Sequence, residues 1–263
     1  MQLSVIVRTH DRSNLHGDRY TGTGKGEVTY RCLYSLVQTI NSALEAPDLA
    51  GILEGVSLTV LDDHSQELEL IQRILGEAQC KTQLETLEER GNNASMFRYF
   101  MLGAAAPALV YLVEDDYLHE RDALREMVRD YITFTKYRGS PVALNPFNDP
   151  DNYQSHTLSP SYIVWGDKRH WRTGEWSLCT FMIHSQVIRD HWAFFEEMAR
   201  FYEKKQGVHE GSTLGRLWSG PVTLFSPIPS VALHVQAERQ KDPYIDWTSW
   251  WHAADYRHLL PRS

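Results

Sequence analysis

Three short apolar runs, each followed at once by polar or acidic residues, constrain the fold of this chain more than any other feature of its sequence. The runs and the residues after them are 3–7 with Arg8-Thr9-His10-Asp11-Arg12, 57–61 with Asp62-Asp63, and 108–113 with Glu114-Asp115-Asp116. Short β-branched runs of this kind are typical of buried strands. Polar residues at the ends of such strands gather along one edge of a parallel sheet, so the sequence predicts a shared site there.

Amphipathic helices are predicted between these strands. Apolar residues recur at helical spacing from Leu33 to Leu44, which predicts a helix over about 28–46. Further helices are expected near 66–77, 93–105 and 120–137, with a weaker strand near 84–88. This alternation predicts an α/β fold with a mostly parallel central sheet flanked by helices.

The second half of the chain is predicted to be a more irregular α+β region. Its candidate strands are 161–165, 179–184, 222–225 and 230–235, and its candidate helices are 185–205 and 209–218. The chain has 263 residues, of which 42% are hydrophobic, and this is enough to fill one core. We therefore expect a single domain over 1–263, with one half at 1–120 and the other at 121–263.

Composition narrows the class of protein. The chain carries 26 Lys and Arg against 34 Asp and Glu, a formal charge of −8, whereas a general phosphate-backbone binder is usually basic. Cys32, Cys80 and Cys179 are far apart and odd in number, which indicates neither a disulfide framework nor a zinc cluster. No apolar stretch approaches the roughly 20 residues of a membrane span. We expect a protein without a transmembrane segment, in the cytoplasm.

The acidic triplet Glu114-Asp115-Asp116 carries the strongest chemical signal. Three adjacent acids repel one another unless a cation or hydrogen-bond donors compensate their charge. A divalent cation that bridges carboxylates to a diphosphate would provide this compensation and would stabilise a departing nucleoside diphosphate. The alternative is an acidic N-terminal cap for the helix expected near 120.

Asp62-Asp63-His64-Ser65 ends the second strand in a similar way. A strand-to-helix turn rich in Asp and Ser is common as simple capping. A carboxylate on a neighbouring strand end could also accept hydrogen bonds from a uracil ring or a ribose. Both interpretations stay open on the sequence.

The order and spacing of several segments resemble family-2-type glycosyltransferases of the GT-A fold over about the first 120 residues. The segments are residues 3–12, Asp62-Asp63-His64-Ser65, Arg90-Gly91-Asn92-Asn93 with Arg98, and Glu114-Asp115-Asp116. The resemblance implies that 1–120 is a nucleotide-binding half and that 121–263 is an acceptor-side half. It also implies a nucleotide-sugar donor, with UDP-sugar expected, and a divalent metal, Mn²⁺ or Mg²⁺.

The resemblance assigns roles to particular donor-side residues. Thr9 and Asp63 are implied to contact the nucleoside. Asn93 and Arg98 are implied to face the donor, although both are equally typical of a helix surface.

The family's Asp-x-Asp element matches the acidic triplet. This match implies that Asp116 ligates the metal and that Glu114 or Asp115 addresses ribose or metal. A Glu stands where the first Asp is usual, which leaves the ligand set open.

A candidate general base lies in His209-Glu210-Gly211-Ser212-Thr213-Leu214, which resembles the Glu-Asp motif of inverting members. Gly211 stands where the aspartate is expected. An inverting transfer needs a carboxylate that removes the acceptor's proton, and Glu210 is the candidate. Its alternative role is that of an acid at a helix start.

His234 lies in the apolar run 230–235. The resemblance implies that it is an additional metal ligand, and an imidazole ligand would favour manganese over magnesium. A buried histidine without a ligand role is the alternative.

Tryptophans crowd the second half, and aromatic faces stack well on sugars. Glu175 and Trp176 lie where the resemblance places the acceptor side, although core packing and oligomer contacts also explain tryptophans. The loop with Gly22, Gly24 and Gly26 lacks the Gly-Lys-Ser/Thr ending of a phosphate-binding P-loop and is expected to lie near the donor.

The leading hypothesis is therefore a metal-dependent glycosyltransferase whose acceptor is a glycan, a small molecule, a protein or a modified nucleic acid. One alternative is a nucleotidyltransferase or another metal-dependent nucleotide enzyme, although the first strand here ends in Thr-His-Asp-Arg rather than in the Gly-rich basic loop usual in nucleotidyltransferases. The other is a non-catalytic carbohydrate-binding protein on the same fold, which the missing aspartate at Gly211 would permit. An oligomer is compatible with any of these hypotheses.

Overall fold

The computed structural model describes residues 1–12, 19–153, 160–200 and 210–261. The strands are β1 (Gln2–Thr9), β2 (Gly55–Asp62), β3 (Lys81–Thr86), β4 (Leu109–Glu114), β5 (Tyr117–His119), β6 (Val142–Leu144), β7 (Ile163–Trp165), β8 (His170–Gly174), β9 (Phe181–His184), β10 (Thr223–Ile228) and β11 (Ala232–His234). The α-helices are α1 (Lys25–Glu45), α2 (Leu68–Gly76), α3 (Asn92–Ala105), α4 (Ala123–Arg138), α5 (Ser185–Asp190), α6 (Trp192–Ala199), α7 (Leu214–Trp218) and α8 (Trp247–Ala253).

Nine strands form one central sheet in the order β3-β2-β1-β4-β9-β6-β10-β8-β7. Strands β1 to β4 are parallel to one another, and β6 and β10 are also a parallel pair. Strands β9 and β8 run antiparallel to their neighbours. The sheet is therefore mostly parallel in strand direction, as predicted.

Helices cover both faces of the sheet, and each central strand contributes to both cores because its successive side chains point to opposite sides. In β1, Val5 belongs to the apolar cluster that includes residues of α1, α2 and α4. Its neighbour Ile6 belongs to a second cluster, with residues of α3, α5, α6 and α7. This two-sided burial accounts for the nearly continuous apolar sequence of the central strands.

The expected elements of the first half are confirmed, with small shifts at their ends. The predicted strand near 84–88 is β3, and the helix expected from 120 is α4, which begins at Ala123. Within its described residues, the helix expected over 185–205 is two helices, α5 and α6, and residues 201–205 lie outside the described part. The helix expected over 209–218 is a 3-10 turn, Glu210–Ser212, followed by α7, and residue 209 is not described.

Strands β5, β6 and β8 and helix α8 were not predicted. Strands β5 and β6 contain three residues each, too few for a periodic pattern to emerge. Strand β5 pairs antiparallel with β11 in a separate two-stranded sheet, where Tyr117 lies opposite His234. This small sheet brings the second half of the chain back to the end of β4. No helix in the described ranges is long and apolar enough to cross a membrane.

Candidate active site

Asp116 and His234 meet because of the register between β5 and β11. The His234 Nε2 atom lies 3.5 Å from Asp116 Oδ1. The backbone N–H of Val235 donates to the Asp116 carbonyl oxygen at 2.7 Å. The imidazole stacks on Tyr117 at a centroid distance of 4.9 Å, and Phe147 contacts it edge-on. Both ring contacts fix the direction in which His234 presents Nε2.

The Asp116 carboxylate is buried, with 6% of the residue exposed, and is incompletely satisfied. Its Oδ2 accepts a hydrogen bond from the Gln236 side-chain amide at 2.9 Å, whereas no described residue forms a hydrogen bond with the buried Oδ1. Burial would raise the pKa of Asp116, but His234, Lys25 and Gln236 together hold it well below its ordinary value. The site therefore presents an ionised carboxylate oxygen beside an imidazole nitrogen.

This pair of atoms fits a divalent cation. A carboxylate oxygen and a neutral imidazole nitrogen suit Mn²⁺, and ions in phosphate sites commonly take only one or two protein ligands. The described residues contain no group of three or more His, Cys, Asp or Glu placed to hold a metal. The protein thus offers two candidate ligands, Asp116 and His234, and leaves other coordination positions to a ligand.

Two residues behind this pair were missed by the sequence reasoning. The Gln240 side-chain nitrogen lies 3.3 Å from His234 Nδ1, so Gln240 helps to set the imidazole orientation. Burial raises the pKa of Asp149, and the electrostatic influence of His234 opposes that rise. Neither residue lies in a recognisable motif, because their positions depend on how the second half returns to the sheet.

Asp115 ties the start of α1 to the strand ends. Its carboxylate pairs with the Lys25 ammonium and accepts hydrogen bonds from the Thr29 hydroxyl at 3.1 Å and the His10 backbone N–H at 2.8 Å. Burial opposes the charge on Lys25, but Asp115 and Asp116 raise the pKa of its ammonium. Lys25 was not among the predicted site residues, although it begins a helix beside the acidic triplet.

Glu114 forms a two-point ion pair with Arg8, which lies directly opposite it in the register of β1 and β4. Arg8 Nη2 lies 2.8 Å from Glu114 Oε2, and Arg8 Nε lies 3.1 Å from Oε1. Burial raises the pKa of Glu114, although Arg8 opposes that rise. Within the described structure, Glu114 and Asp115 both have cationic partners, and their predicted roles toward ribose or metal stay predictions.

The triplet does not cap the next helix. The N-cap residue of α4 is Asp122, and the three acids lead instead into β5. The alternative interpretation of these acids as a helix cap is therefore wrong, because an unpredicted strand intervenes.

Thr9 and Asp63 lie at adjacent strand ends. The Thr9 hydroxyl donates to the Asp62 carboxylate at 2.9 Å, and the Asp63 backbone N–H donates to the Thr9 carbonyl at 2.9 Å. The Asp63 Oδ2 atom accepts from the Gly91 N–H at 3.0 Å, which joins this turn to the start of α3. The strand ends predicted to share one site thus do lie together.

The two residues predicted to face the donor from α3 differ in their surroundings. Asn93 lies in the first turn of α3, next to the Gly91 contact. Arg98 pairs with Glu85 of β3, with Nε 2.6 Å from Oε1, and its side chain is partly exposed. Its role toward the donor stays a prediction.

Arg19 is a cationic residue that the sequence reasoning missed. It is 6% exposed, and its buried Nε has no hydrogen-bond partner within the described part of the chain. The neighbouring Tyr20 N–H donates to the Gln236 carbonyl at 2.9 Å, and Gln236 in turn binds Asp116. Arg19 also acts electrostatically on Lys25. The described part of the Gly-rich loop therefore adjoins the acidic cluster.

Glu210 holds a strained loop. Its carboxylate accepts hydrogen bonds from the Ser177 N–H at 2.6 Å, from the Ser177 hydroxyl and from the Leu178 N–H at 2.9 Å. Leu178 and Cys179 have positive φ angles of 48° and 58°, which are uncommon for residues with a side chain. Burial raises the pKa of Glu210 despite these hydrogen bonds.

Comparison with known proteins bears on the fold. No protein-family model and no curated protein sequence matches the chain. The crystal structure of S. aureus TarS matches with a TM-score of 0.50 and 13% sequence identity, over 86% of this chain and 36% of TarS. The crystal structure of S. aureus TarS 1–349 matches with a TM-score of 0.50 and 14% identity, over 86% of this chain and 60% of that one. These structures are GT-A glycosyltransferases.

The chain has the GT-A fold. This confirms the predicted fold class, although the chain spans only part of the length of the TarS structures. Within the GT-A fold, the described site residues separate into two regions. Thr9, Asp63 and the acidic triplet lie at the carboxyl ends of β1, β2 and β4, and His234 meets the triplet from β11.

Glu175 and Trp176 lie in the other region. Together with residues of β7, β8, β10 and α7, they line a cavity of about 500 Å³. None of Asp63, Asp116 and His234 is among its lining residues. The Trp176 carbonyl accepts a hydrogen bond from the Asn145 side chain at 3.0 Å, which attaches this loop to the end of β6.

Proposed function

We propose that the chain is a metal-assisted glycosyltransferase that takes a sugar from a nucleotide-diphosphate sugar, with a UDP-sugar as the expected donor. The observation that carries this proposal is the buried Asp116 Oδ1, which faces His234 Nε2 at 3.5 Å and has no closer hydrogen-bond partner among the described residues. This pair lies where an α/β sheet normally binds its ligands, beyond the carboxyl ends of parallel strands.

Asp116 and His234 would hold the metal ion. When bound, the ion would neutralise charge on the diphosphate as it leaves. The chain's own cations would add to this stabilisation. Lys25 is paired with Asp115, whereas the Arg19 Nε has no partner, so Arg19 is the better candidate to bind a diphosphate oxygen.

The nucleoside would lie beside the neighbouring strand ends. We assign Asp63 and Thr9 to this part of the site, and Asn93 and Arg98 to the donor side of α3. Asp63 keeps acceptor capacity in addition to its Gly91 contact, as recognition of a uracil or a ribose requires. Glu114 and Asp115 would act mainly by holding Arg8 and Lys25 in place, with a contact to ribose or metal as their further assigned role.

Glu210 is our candidate for the general base. A raised pKa suits a group that accepts a proton near neutral pH. Its hydrogen bonds to Ser177 and Leu178 place it beside the loop that carries Glu175 and Trp176, which we assign to the acceptor. This arrangement would bring the base and the acceptor to the same loop.

The deciding experiment is nucleotide binding, measured by thermal shift and calorimetry. UDP, GDP and TDP would be tested with and without Mn²⁺ on the parent protein, on Asp116→Ala and on Asp190→Ala. Asp190 is an exposed aspartate of α5 whose carboxylate binds Gln186, so its variant controls for loss of one acid. We expect one nucleotide to bind only with Mn²⁺, and this binding to be lost in Asp116→Ala alone.

The opposite result is equally informative. If no nucleotide binds either with or without Mn²⁺, the transferase proposal is wrong and a non-catalytic carbohydrate-binding protein becomes the better hypothesis. The base assignment is tested separately, by release of UDP from the donor in the presence of candidate acceptors. Glu210→Gln should retain donor binding and lose transfer; retention of both would show that Glu210 is not the base.

A further inference from the structure

We infer that the cavity beside Trp176 binds a sugar that bears a phosphate group, as part of the acceptor. The role of this ligand as an acceptor rests on the proposed function, whereas the binding of a phosphorylated sugar follows from the residues of the cavity. The lining residues that carry the argument are Arg138, Arg172, Tyr162, Glu175 and Trp176.

Arg172 supplies the principal observation. The residue is 9% exposed, yet none of the described residues forms a hydrogen bond with its buried Nε. Its Nη2 donates to the Ser161 hydroxyl at 2.8 Å, and its guanidinium lies 4.8 Å from the centre of the Tyr153 ring. No carboxylate of the described residues forms an ion pair with it. A buried guanidinium without an acid is costly unless an anion binds it, and phosphate matches its fork of donors.

The residues around Arg172 keep the cavity electropositive. Arg138 reaches it from the end of α4 and donates to the Thr223 hydroxyl at 3.0 Å. Glu175 is the single acid among the described lining residues, and it is exposed at the rim. Two guanidinium groups against one carboxylate leave a net positive charge, which favours a single anionic group over a neutral ligand.

The cavity also has the features of a sugar site. Its volume of about 500 Å³ lies in the range typical of small-molecule pockets. Trp176 and Tyr162 expose 37% and 79% of their surface, and aromatic faces of this kind stack on sugar rings. The formal charge of −8 argues against a nucleic acid in this position, because a long polyanion would be repelled by the rest of the protein.

One loop connects the cavity to the acidic cluster. Residues 175–180 run from the cavity lining to Thr180, whose hydroxyl accepts a hydrogen bond from the Glu114 N–H at 3.1 Å. Six residues span at most about 20 Å even when fully extended. A phosphorylated acceptor anchored at Arg172 would therefore lie within reach of the donor site, along the loop that Glu210 holds.

Calorimetric binding of glucose 6-phosphate and of glucose tests the inference. The proteins are the parent, Arg172→Gln, Arg138→Gln and the control Arg216→Gln, which removes an exposed arginine of α7 outside the cavity. We expect the parent to bind glucose 6-phosphate at least about tenfold more tightly than glucose, since a charge-assisted two-point contact supports a difference of this size. Arg172→Gln should lose this preference, Arg138→Gln should reduce it, and Arg216→Gln should keep it.

Equal binding of glucose and glucose 6-phosphate by the parent would overturn the inference, as would an unchanged preference in folded Arg172→Gln. Tighter binding of a short oligonucleotide that depends on Arg172 would overturn it in favour of a nucleic acid. UDP binding with Mn²⁺ is measured on the same samples. Failure of UDP to bind the parent contradicts the proposed function, whereas failure of glucose 6-phosphate with UDP binding intact contradicts this inference alone.

Discussion

The two halves of the central sheet are built differently. Strands β1 to β4 have six to eight residues, run parallel and keep an unbroken register, for example from Gln2–Gly55 to Thr9–Asp62. The strands of the other half have three to six residues and change direction at β9 and β8. The first half therefore follows from local pattern and the second from long-range pairing. The candidate metal site combines both kinds of structure, since Asp116 follows β4 of the parallel half and His234 reaches it through the long-range pairing of β11 with β5 in the separate small sheet.

The largest effect should come from the ion pair that joins β1 to β4. Arg8→Met would leave Glu114, whose side chain is only 19% exposed, without its partner, and we expect a loss of about 3 kcal/mol in the free energy of unfolding. Urea denaturation measures this loss. The control is Arg200→Met, which breaks an exposed pair with Glu196 and should cost less than about 1 kcal/mol. Similar losses in the two variants would mean that the first half does not depend on this pair.

A steric change tests the packing of the half of the sheet formed by β9, β6, β10, β8 and β7, which we call the mixed half because its strands run in both directions. A Cβ atom at Gly166 would lie 2.6 Å from both Asp130 Oδ2 and Trp171 Nε1. The Trp171 Nε1–H donates a hydrogen bond to Asp130 Oδ2 at 2.7 Å. We expect Gly166→Ala to cost about 2 kcal/mol in unfolding free energy, because neither buried side chain has room to move. Gly76→Ala, at the end of α2 with open space around it, should be close to neutral. A neutral Gly166→Ala would show that the mixed half repacks readily.

The same contrast explains what could be predicted from the sequence. The apolar runs that became β1, β2 and β4 each end in the polar residues that share one edge, so Asp63 and Asp116 could be located by pattern alone. The role of His234 as a metal ligand is implied only by a resemblance. Its contact with Asp116 depends on the pairing of β11 with β5, a strand of three residues that no periodicity reveals. Arg19, Arg172 and Gln240 lie outside any motif, because the burial of these polar side chains is a property of the folded chain.

A smaller effect should appear where the two halves meet. Gln240→Leu removes the amide next to His234 Nδ1, and we expect Mn²⁺ affinity in the presence of UDP to fall about tenfold. Calorimetric titration of Mn²⁺ measures this change. Gln79→Leu, which alters an exposed amide bound to Glu45, should leave the affinity unchanged. Equal affinities in the parent and both variants would show that the orientation of His234 does not depend on Gln240.

The smallest predicted effect is a pH dependence of stability that comes from Asp130, which packs against the mixed half through Trp171. Burial raises the pKa of Asp130 from 3.8 to about 6, so its protonated form is favoured in the folded protein. The stability it contributes is full below about pH 4 and is lost as the pH rises through about 6. Between about pH 4 and pH 6, we expect the unfolding free energy of the parent to fall by about 1 kcal/mol relative to that of Asp130→Asn, which does not titrate. A difference that stays constant would contradict the raised pKa.

The β5–β11 pairing has a thermodynamic consequence for the whole chain. Gln236 and Asp116 are separated by 120 positions, and His234 lies beside them. An ion held by both Asp116 and His234 would join positions nearly half the protein apart, and because it binds the folded chain alone it would stabilise both regions together. Binding of the ion would then raise the melting temperature and slow proteolysis in both halves of the chain together.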